Sequence, residues 1–390
     1  MKILYITLED ISLHKGSVVH IKEVIEGLKN RGHIVGLIAG STNKKENYDK
    51  FYNLKKYGLK KQNYLILSFN LLFYLLNISN KYDIIYARDF HTALIALLPK
   101  IIFNKKLVFE MNGIASEEQK LKDGLISKHL FNLILFKAET LAARHSDIII
   151  CVTRQIAEFL IKNNSCLIKK INIVTNGVNT QKFCSINDKL LISDFKKKIG
   201  IDENVILVLF VGNLAPWQGV DTLIETGFLI LNKIPNIKFL IIGEGNLKNK
   251  LFNKVMKSKY KDNYIFTGMV NHNEIPLFIN SSDICVAPFI KKRNYKTGLS
   301  PLKIFEYLAC SKPVITSKIE GLEFIEQYGA GILIEPENKE DLYGALIKLI
   351  ENPKLRKEMG EKGQKLIREL NYDWLFKIIE IEKILLEIMR

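Results

Sequence analysis

Residues 205–213 read VILVLFVGN, seven apolar positions followed by Gly212-Asn213. A run that is apolar at every step, rather than every second step, fits a strand buried on both faces. That is the habit of a parallel sheet covered by helices. A helical pattern follows at 219–232. Four more short apolar runs come next: IKFLIIGEG (237–245), NYIFTG (263–268), DICVAPF (283–289) and KPVITS (312–317). The same alternation has already run once upstream. MKILYITLED opens a strand at residue 2, a loop holds Gly16, residues 18–31 carry apolar positions at helical spacing, and GHIVGLIAG (32–40) is a second strand. YDIIYAR (82–88), a helix through 91–99, KLVFEMNG (106–113), a long helix to about Arg144 and SDIIICVT (146–153) complete the series. Position 205 is therefore a second beginning. The pattern predicts an α/β chain of two Rossmann-like, doubly wound parallel-sheet domains. Their join is expected in the polar stretch 184–204, and a ligand in the cleft outside the strand carboxyl ends.

Composition excludes several classes. Of 390 residues, 47% are hydrophobic and 25% charged, the balance of a soluble globular protein. No stretch approaches the roughly 20 uninterrupted apolar residues of a membrane span, and the N-terminus, with Glu9 and Asp10, lacks the shape of a signal peptide. The five cysteines, Cys151, Cys166, Cys184, Cys285 and Cys310, show no CxxC spacing, which implies reduced thiols in a cytoplasm. The formal charge is +16, but the lysines are spread along the chain instead of forming a stripe. That spread, without a recognisable binding motif, argues against nucleic acid and leaves solvated surface, phosphorylated small molecules or an anionic membrane as partners. GEGNLK (243–248) lacks the third glycine of a dinucleotide loop, and no Asp-x-Asp pair occurs, so neither a cofactor nor a catalytic metal is expected.

The stretch TGLSPLKIFEYLACSKPVI (297–315) carries the chemistry. Ser300 as N-cap and Pro301 as first helical residue predict a helix start there. At 100° per residue, Leu302, Ile304, Phe305, Leu308 and Ala309 share the core arc, leaving Lys303, Glu306, Tyr307 and Cys310 on the other. Two readings fit: a surface Lys–Glu pair, or a helix N-terminus that cradles a phosphate beside Lys303 while Glu306 takes a ribose diol.

SPLKIFEYLACSKPVITS resembles the donor-binding element of family 4 glycosyltransferases, which have the two-Rossmann-domain GT-B fold. The likeness extends through GSVVHIKEVIEGLKNRGHIV, INIVTNGVNTQKF (171–183), VGNLAPWQGVDTLIE (211–225), FTGMVNHNEIPLFINSSDICVAPF (266–289) and NYDWL (371–375). The resemblance implies an acceptor-binding domain over 1–185, a donor-binding domain over 186–370, and a closing helix, about 371–390, that returns to the first. It implies metal-independent, retaining transfer of a sugar from a nucleotide diphosphate sugar to a glycan or lipid-linked acceptor, as in cell-surface polysaccharide synthesis. Glu306 matches the second glutamate of the family's E-x7-E motif, the backbone near Met269 and Val270 matches the base-binding loop, and Gly16 and Ser17 match the N-terminal glycine loop. Leu299, Ser300, Leu302 and Lys303 fall within the donor element.

Four positions depart from the family. Gly298 replaces the first glutamate of that motif, Asn213 and Gln218 stand where an arginine and a lysine hold the diphosphate, and Asn112 stands where many members carry a histidine. Lys303, aided by Lys296 or Arg293, is the expected replacement cation. An alternative reading follows from the same departures: a non-catalytic sugar-nucleotide-binding subunit with a degenerate donor site. His20, Glu110 and Asn112 are the candidate catalytic residues, and Arg88-Asp89 is read as a strand-end ion pair. NYLILSFNLLFYLLNISN (63–80) reads either as a core helix or as a membrane-facing surface. With the basic segment 43–61 it suggests peripheral contact with an anionic inner leaflet.

Overall fold

The computed structural model describes residues 1–13, 15–40, 50–54, 64–119 and 128–390. Most of the basic segment 43–61 therefore lies outside the described residues. The chain divides into two compact units. The first comprises Met1–Asn176, Lys296–Gly298 and Trp374–Arg390; the second comprises Gly177–Tyr295 and Leu299–Asp373.

In the first unit the described strands are β1 (Lys2–Ile6), β2 (Ile34–Ala39), β3 (Lys50–Asn53), β4 (Ile84–Ala87), β5 (Lys106–Met111), β6 (Ile148–Cys151) and β7 (Ile171–Ile173). They form one parallel sheet in the order β3-β2-β1-β4-β5-β6-β7. The second unit holds β8 (Ile206–Val211), β9 (Ile237–Ile242), β10 (Tyr264–Gly268), β11 (Ile284–Ala287), β12 (Val314–Ser317) and β13 (Gly331–Ile334). Their order is β10-β9-β8-β11-β12-β13, again parallel. Within β8, Leu207 and Leu209 enter one core and Val208 and Phe210 the core on the opposite face. Burial on both faces is why this strand reads as unbroken apolar sequence.

Each sheet reverses its winding once, between β1 and β4 in the first unit and between β8 and β11 in the second. At such a reversal the connections leave in opposite directions and open a crevice beyond the strand carboxyl ends. The C-terminal helix Trp374–Glu387 belongs to the first unit. There Glu382 accepts from Arg31 Nε and pairs with His33 Nε2 at 2.8 Å.

Three local expectations are corrected. Gly16 is the first residue of the helix Gly16–Asn30, not part of the preceding loop. Pro301, not Ser300, occupies the N-cap position of the helix Leu302–Ala309, with extended backbone and no side-chain cap. Of the two readings of the other arc, the surface pair is the one that is not found: Glu306, Tyr307 and Cys310 are buried and Lys303 is half-buried. The helix packs against β11–β12 and the helix Pro353–Glu369, and only Leu302 and Lys303 in its first turn remain half-buried. The division between units falls at Asn176/Gly177, ahead of the 184–204 stretch. Residues just beyond it are held in the second unit, Val178 N by Tyr372 O at 2.8 Å and Thr180 N by Asp373 at 3.2 Å.

Candidate functional site

Two polar clusters lie at the two winding reversals. In the second unit Lys303 is the centre. Its Nζ donates to Gln218 Oε1 at 2.7 Å and stands 4.1 Å from the Phe210 ring centroid and 5.4 Å from that of Phe289. Phe210 is near the carboxyl end of β8 and Phe289 lies two residues beyond β11, and Gly212 leaves room beside them. A Cβ on Gly212, whose φ is +143°, would lie 2.4 Å from Lys303 Nζ. Desolvation pushes the Lys303 ammonium down to about 7, against the opposing pull of the Glu306 carboxylate. Tyr307, one position beyond Glu306, accepts from Val211 N at 2.8 Å and so ties the helix to the end of β8.

Glu306 is one helical turn beyond Lys303, its side chain 8% exposed, and accepts from His272 Nε2 at 2.9 Å. His272 follows the expected base-binding positions. There Met269 is 48% exposed, while Val270 packs partly against the core. Leu299 packs on the same core, Leu302 and Ser300 are half-buried, and Asn213 is exposed. The structure thus gathers Gln218, Lys303 and Glu306, with His272 as a member that sequence reasoning passed over. A histidine in a polar loop has no periodicity to flag it.

In the first unit Glu110, at the carboxyl end of β5, is 1% exposed. Its Oε2 accepts from Tyr86 OH at 2.6 Å, and its Oε1 accepts from Asn112 Nδ2 at 2.6 Å and lies 2.7 Å from His20 Nε2. Burial alone would raise this carboxyl, but His20, Arg88 and the Tyr86 hydroxyl outweigh it and hold the group at about 2. His20 Nδ1 meets Asn176 Oδ1 at 2.7 Å, and the ring stands edge-on to Trp374, 5.3 Å between centroids. His20, Glu110 and Asn112 are therefore one cluster, completed by Tyr86 and Asn176. Gly16 and Ser17 are one turn ahead of His20, Gly16 exposed and Ser17 half-buried. Asp89 does not form the expected pair with Arg88. Its side chain accepts from Thr92 N at 2.9 Å and N-caps the helix Phe90–Ile102.

Gly298 takes φ +64°, and the space a side chain would enter is filled by Gln155, whose Oε1 lies 1.9 Å from an ideal Cβ. The adjoining Thr297 O accepts from Thr153 Oγ1 at 2.5 Å, and the Lys296 ammonium is paired with Glu117. The side chain of Arg293 is outside the described ones. Among the described residues, no three His, Cys, Asp or Glu side chains converge in a way that would hold a metal ion.

The chain is similar to known proteins in sequence and in fold. Residues 14–182 match the model described as Glycosyltransferase Family 4, and residues 192–366 match that described as Glycosyl transferases group 1. An uncharacterized glycosyltransferase of Methanocaldococcus jannaschii is 28% identical over 307 residues, 75% of this chain and 71% of its own length. The UDP-Gal:alpha-D-GlcNAc-diphosphoundecaprenol alpha-1,3-galactosyltransferase of Escherichia coli is 27% identical over 278 residues, 70% of this chain and 67% of its own. The fold matches that of the sucrose-phosphate synthase of Thermosynechococcus elongatus, with TM-score 0.79 and 17% identity over 100% of this chain and 99% of that one. Two family models laid end to end on two Rossmann-like sheets leave one conclusion: the chain belongs to the family 4 glycosyltransferases, with the GT-B fold.

Proposed function

We propose that this glycosyltransferase moves a sugar from a nucleoside diphosphate sugar to a hydroxyl of a glycan or lipid-linked acceptor, in the synthesis of a cell-surface polysaccharide. The transfer retains configuration and uses no metal ion and no cofactor beyond the sugar nucleotide. The E. coli relative is named for an acceptor of the lipid-diphosphate kind. The observation that carries the reading is Lys303: a cation against two aromatic rings at a winding reversal, with one neutral partner, Gln218, and with Glu306 a turn away.

A nucleoside diphosphate is already a good leaving group, so the protein's task is to stabilise charge on it and to place the acceptor. Lys303 meets the diphosphate together with the backbone amides at the start of the helix Leu302–Ala309, which no side chain caps. Gln218, though neutral where a lysine is common, orients the Lys303 ammonium. Glu306 receives the ribose diol, and the loop at Met269–Val270 meets the base. In the first unit Glu110 acts by position: its carboxylate is enclosed by Tyr86, Asn112 and His20, and it holds the last two in place.

The same reading includes contact with an anionic membrane. No helix among the described residues is long and apolar enough to cross a bilayer. The helix Tyr64–Ile78 carries no charge at all and exposes Leu65, Phe69 and Phe73. It packs on the helix Phe90–Ile102, which exposes Leu98, Ile101 and Ile102, and that helix packs on Lys128–His145, which exposes Leu130, Phe131 and Ile134. The one acid on these three helices, Glu139, is buried, while Lys137 and Arg144 are exposed. Exposed apolar side chains on three helices whose own exposed charges are cations suit anionic lipid. Phe69→Glu with Phe73→Glu should abolish sedimentation with anionic vesicles and leave donor hydrolysis intact; equal sedimentation would remove the membrane from this reading.

The donor reading is tested by thermal shift against UDP, GDP, ADP, CMP and dTDP and their sugar conjugates. A ligand at about 100 times its dissociation constant adds about 2.7 kcal/mol. One base should stabilise the wild type, with turnover of its sugar conjugate, and Glu306→Ala should lose the shift. Stabilisation without turnover on any acceptor would favour the non-catalytic subunit, and no stabilisation would refute the donor site.

A further inference from the structure

Glu306 does not stand alone on its helix. His272 donates to its Oε1 from Nε2 at 2.9 Å, and on the other side of the ring Lys182 Nζ approaches His272 Nδ1 at 2.7 Å. A lysine ammonium has donors and no acceptor. The Nδ1 it approaches must therefore offer a lone pair, so the ring proton is on Nε2, where Glu306 accepts it. The contact selects one tautomer of a neutral imidazole, with a cation at one nitrogen and a carboxylate at the other.

The surroundings hold all three groups. Lys182 N and Phe183 N both bond to Asn179 O, at 3.1 and 2.8 Å, and Lys182 N also reaches Asn179 Oδ1 at 3.2 Å, so the turn that carries the lysine is tied down. Phe183, buried beneath it, stacks obliquely on His272 at 5.2 Å between centroids, and Lys182 Nζ stands 5.5 Å from the same ring. Glu306 is 8% exposed while His272 remains 24% exposed, so the line runs from the interior toward the surface. Among the described residues Glu306 Oε2 has no protein donor, and only Oε1 is occupied.

We propose that Lys182, His272 and Glu306 form a positioning relay for the donor nucleotide. Lys182 sets the tautomer of His272, His272 holds Glu306 Oε1 with a neutral N–H, and Oε2 is thereby turned out as acceptor for the 2′,3′-diol of a ribose. His272 and Lys182 are positioning residues that act through Glu306, and they distinguish ribonucleotides from nucleotides that lack the diol. The proposal rests on the donor reading above and assigns two residues that the reading does not need.

The test has a ligand-free and a ligand-bound arm. Nitrogen NMR of the free protein should show His272 protonated on Nε2 alone, and Lys182→Met should release that preference; an Nδ1-protonated ring in the wild type overturns the relay. In calorimetry, the tightest binder among UDP, GDP and ADP is compared with its 2′,3′-dideoxy counterpart and with inorganic pyrophosphate. The wild type should prefer the diol about tenfold, the scale of one or two hydrogen bonds. His272→Ala should erase the preference without changing pyrophosphate binding, His272→Gln, which keeps a neutral N–H, should restore most of it, and Lys182→Met should fall between. Full preference retained in His272→Ala, or pyrophosphate binding lost in parallel, overturns the relay alone. No diol preference in the wild type overturns the ribose reading and the relay with it.

Discussion

Glu110 in the first unit and Lys303 in the second occupy corresponding places, each near the point where its sheet reverses winding, and both are charged groups removed from water. Their surroundings differ in kind. The Glu110 carboxylate has three polar side chains at 2.6–2.7 Å, among them His20, and is held at about 2. The Lys303 ammonium has one neutral partner and two aromatic rings, and is pushed down to about 7. The Glu110 charge is compensated by neighbouring protein groups, whereas the Lys303 charge has a deficient solvation, the condition under which a cation favours an anionic ligand.

The sharpest way to break this contrast is Glu110→Gln, which imitates the protonated carboxyl. A fall from 4.5 to about 2 on folding, at about 1.4 kcal/mol per pH unit, corresponds to about 3 kcal/mol of stability at neutral pH. Because the folded value is depressed, that stabilisation is present above 4.5 and is lost as pH falls from 4.5 toward 2. Urea unfolding should show the variant weaker by about this amount at pH 7, with the gap closing in acid. A gap constant with pH would mean that packing, not charge, is lost.

Lys303→Met should behave in the opposite way. Loss of a charge-assisted bond weakens nucleoside diphosphate binding by about 2 kcal/mol, roughly thirtyfold, by calorimetry. The midpoint of thermal unfolding should hold or rise, since a poorly solvated cation is replaced by a thioether that fits the same rings. The free protein's depressed value also means that, near pH 8, a phosphate restores the ammonium and binding takes up a proton. Titration in buffers of different ionisation enthalpy measures that uptake, and its absence would place the phosphate elsewhere.

The smallest effect belongs to Gly298. Its left-handed backbone disfavours any side chain by about 1 kcal/mol, while Gln155 Oε1, the end of a flexible side chain, can move aside. Gly298→Glu should therefore cost about that much stability without tightening the donor. Tighter binding would show position 298 to be a plain deficit, and not a site rebuilt around Gln155.

Burial in both directions wrote itself into strands such as VILVLFV, so sheet membership and the restart at 205 were legible. Lys303 and Glu306 were legible as a pair because three-residue spacing on a helix is local geometry. The same local geometry left their surroundings open between two readings. A helical wheel reports which residues face alike, but not that the end of the sheet covers Lys303 and Tyr307 while the helix Pro353–Glu369 packs at Leu308 on the other arc. His272, 34 residues from Glu306, and Lys182, 90 from His272, left no mark in any window of pattern.

By itself, then, the sequence determined the two α/β halves, their family and the residue types at the donor element, because hydrophobic period and motif spacing are properties of neighbours along the chain. Tertiary structure alone decided which charges are satisfied. Solvation and hydrogen bonding depend on what other segments bring to a point in space: Tyr86, Asn112 and His20 to Glu110, and, among the described residues, the Gln218 amide to Lys303.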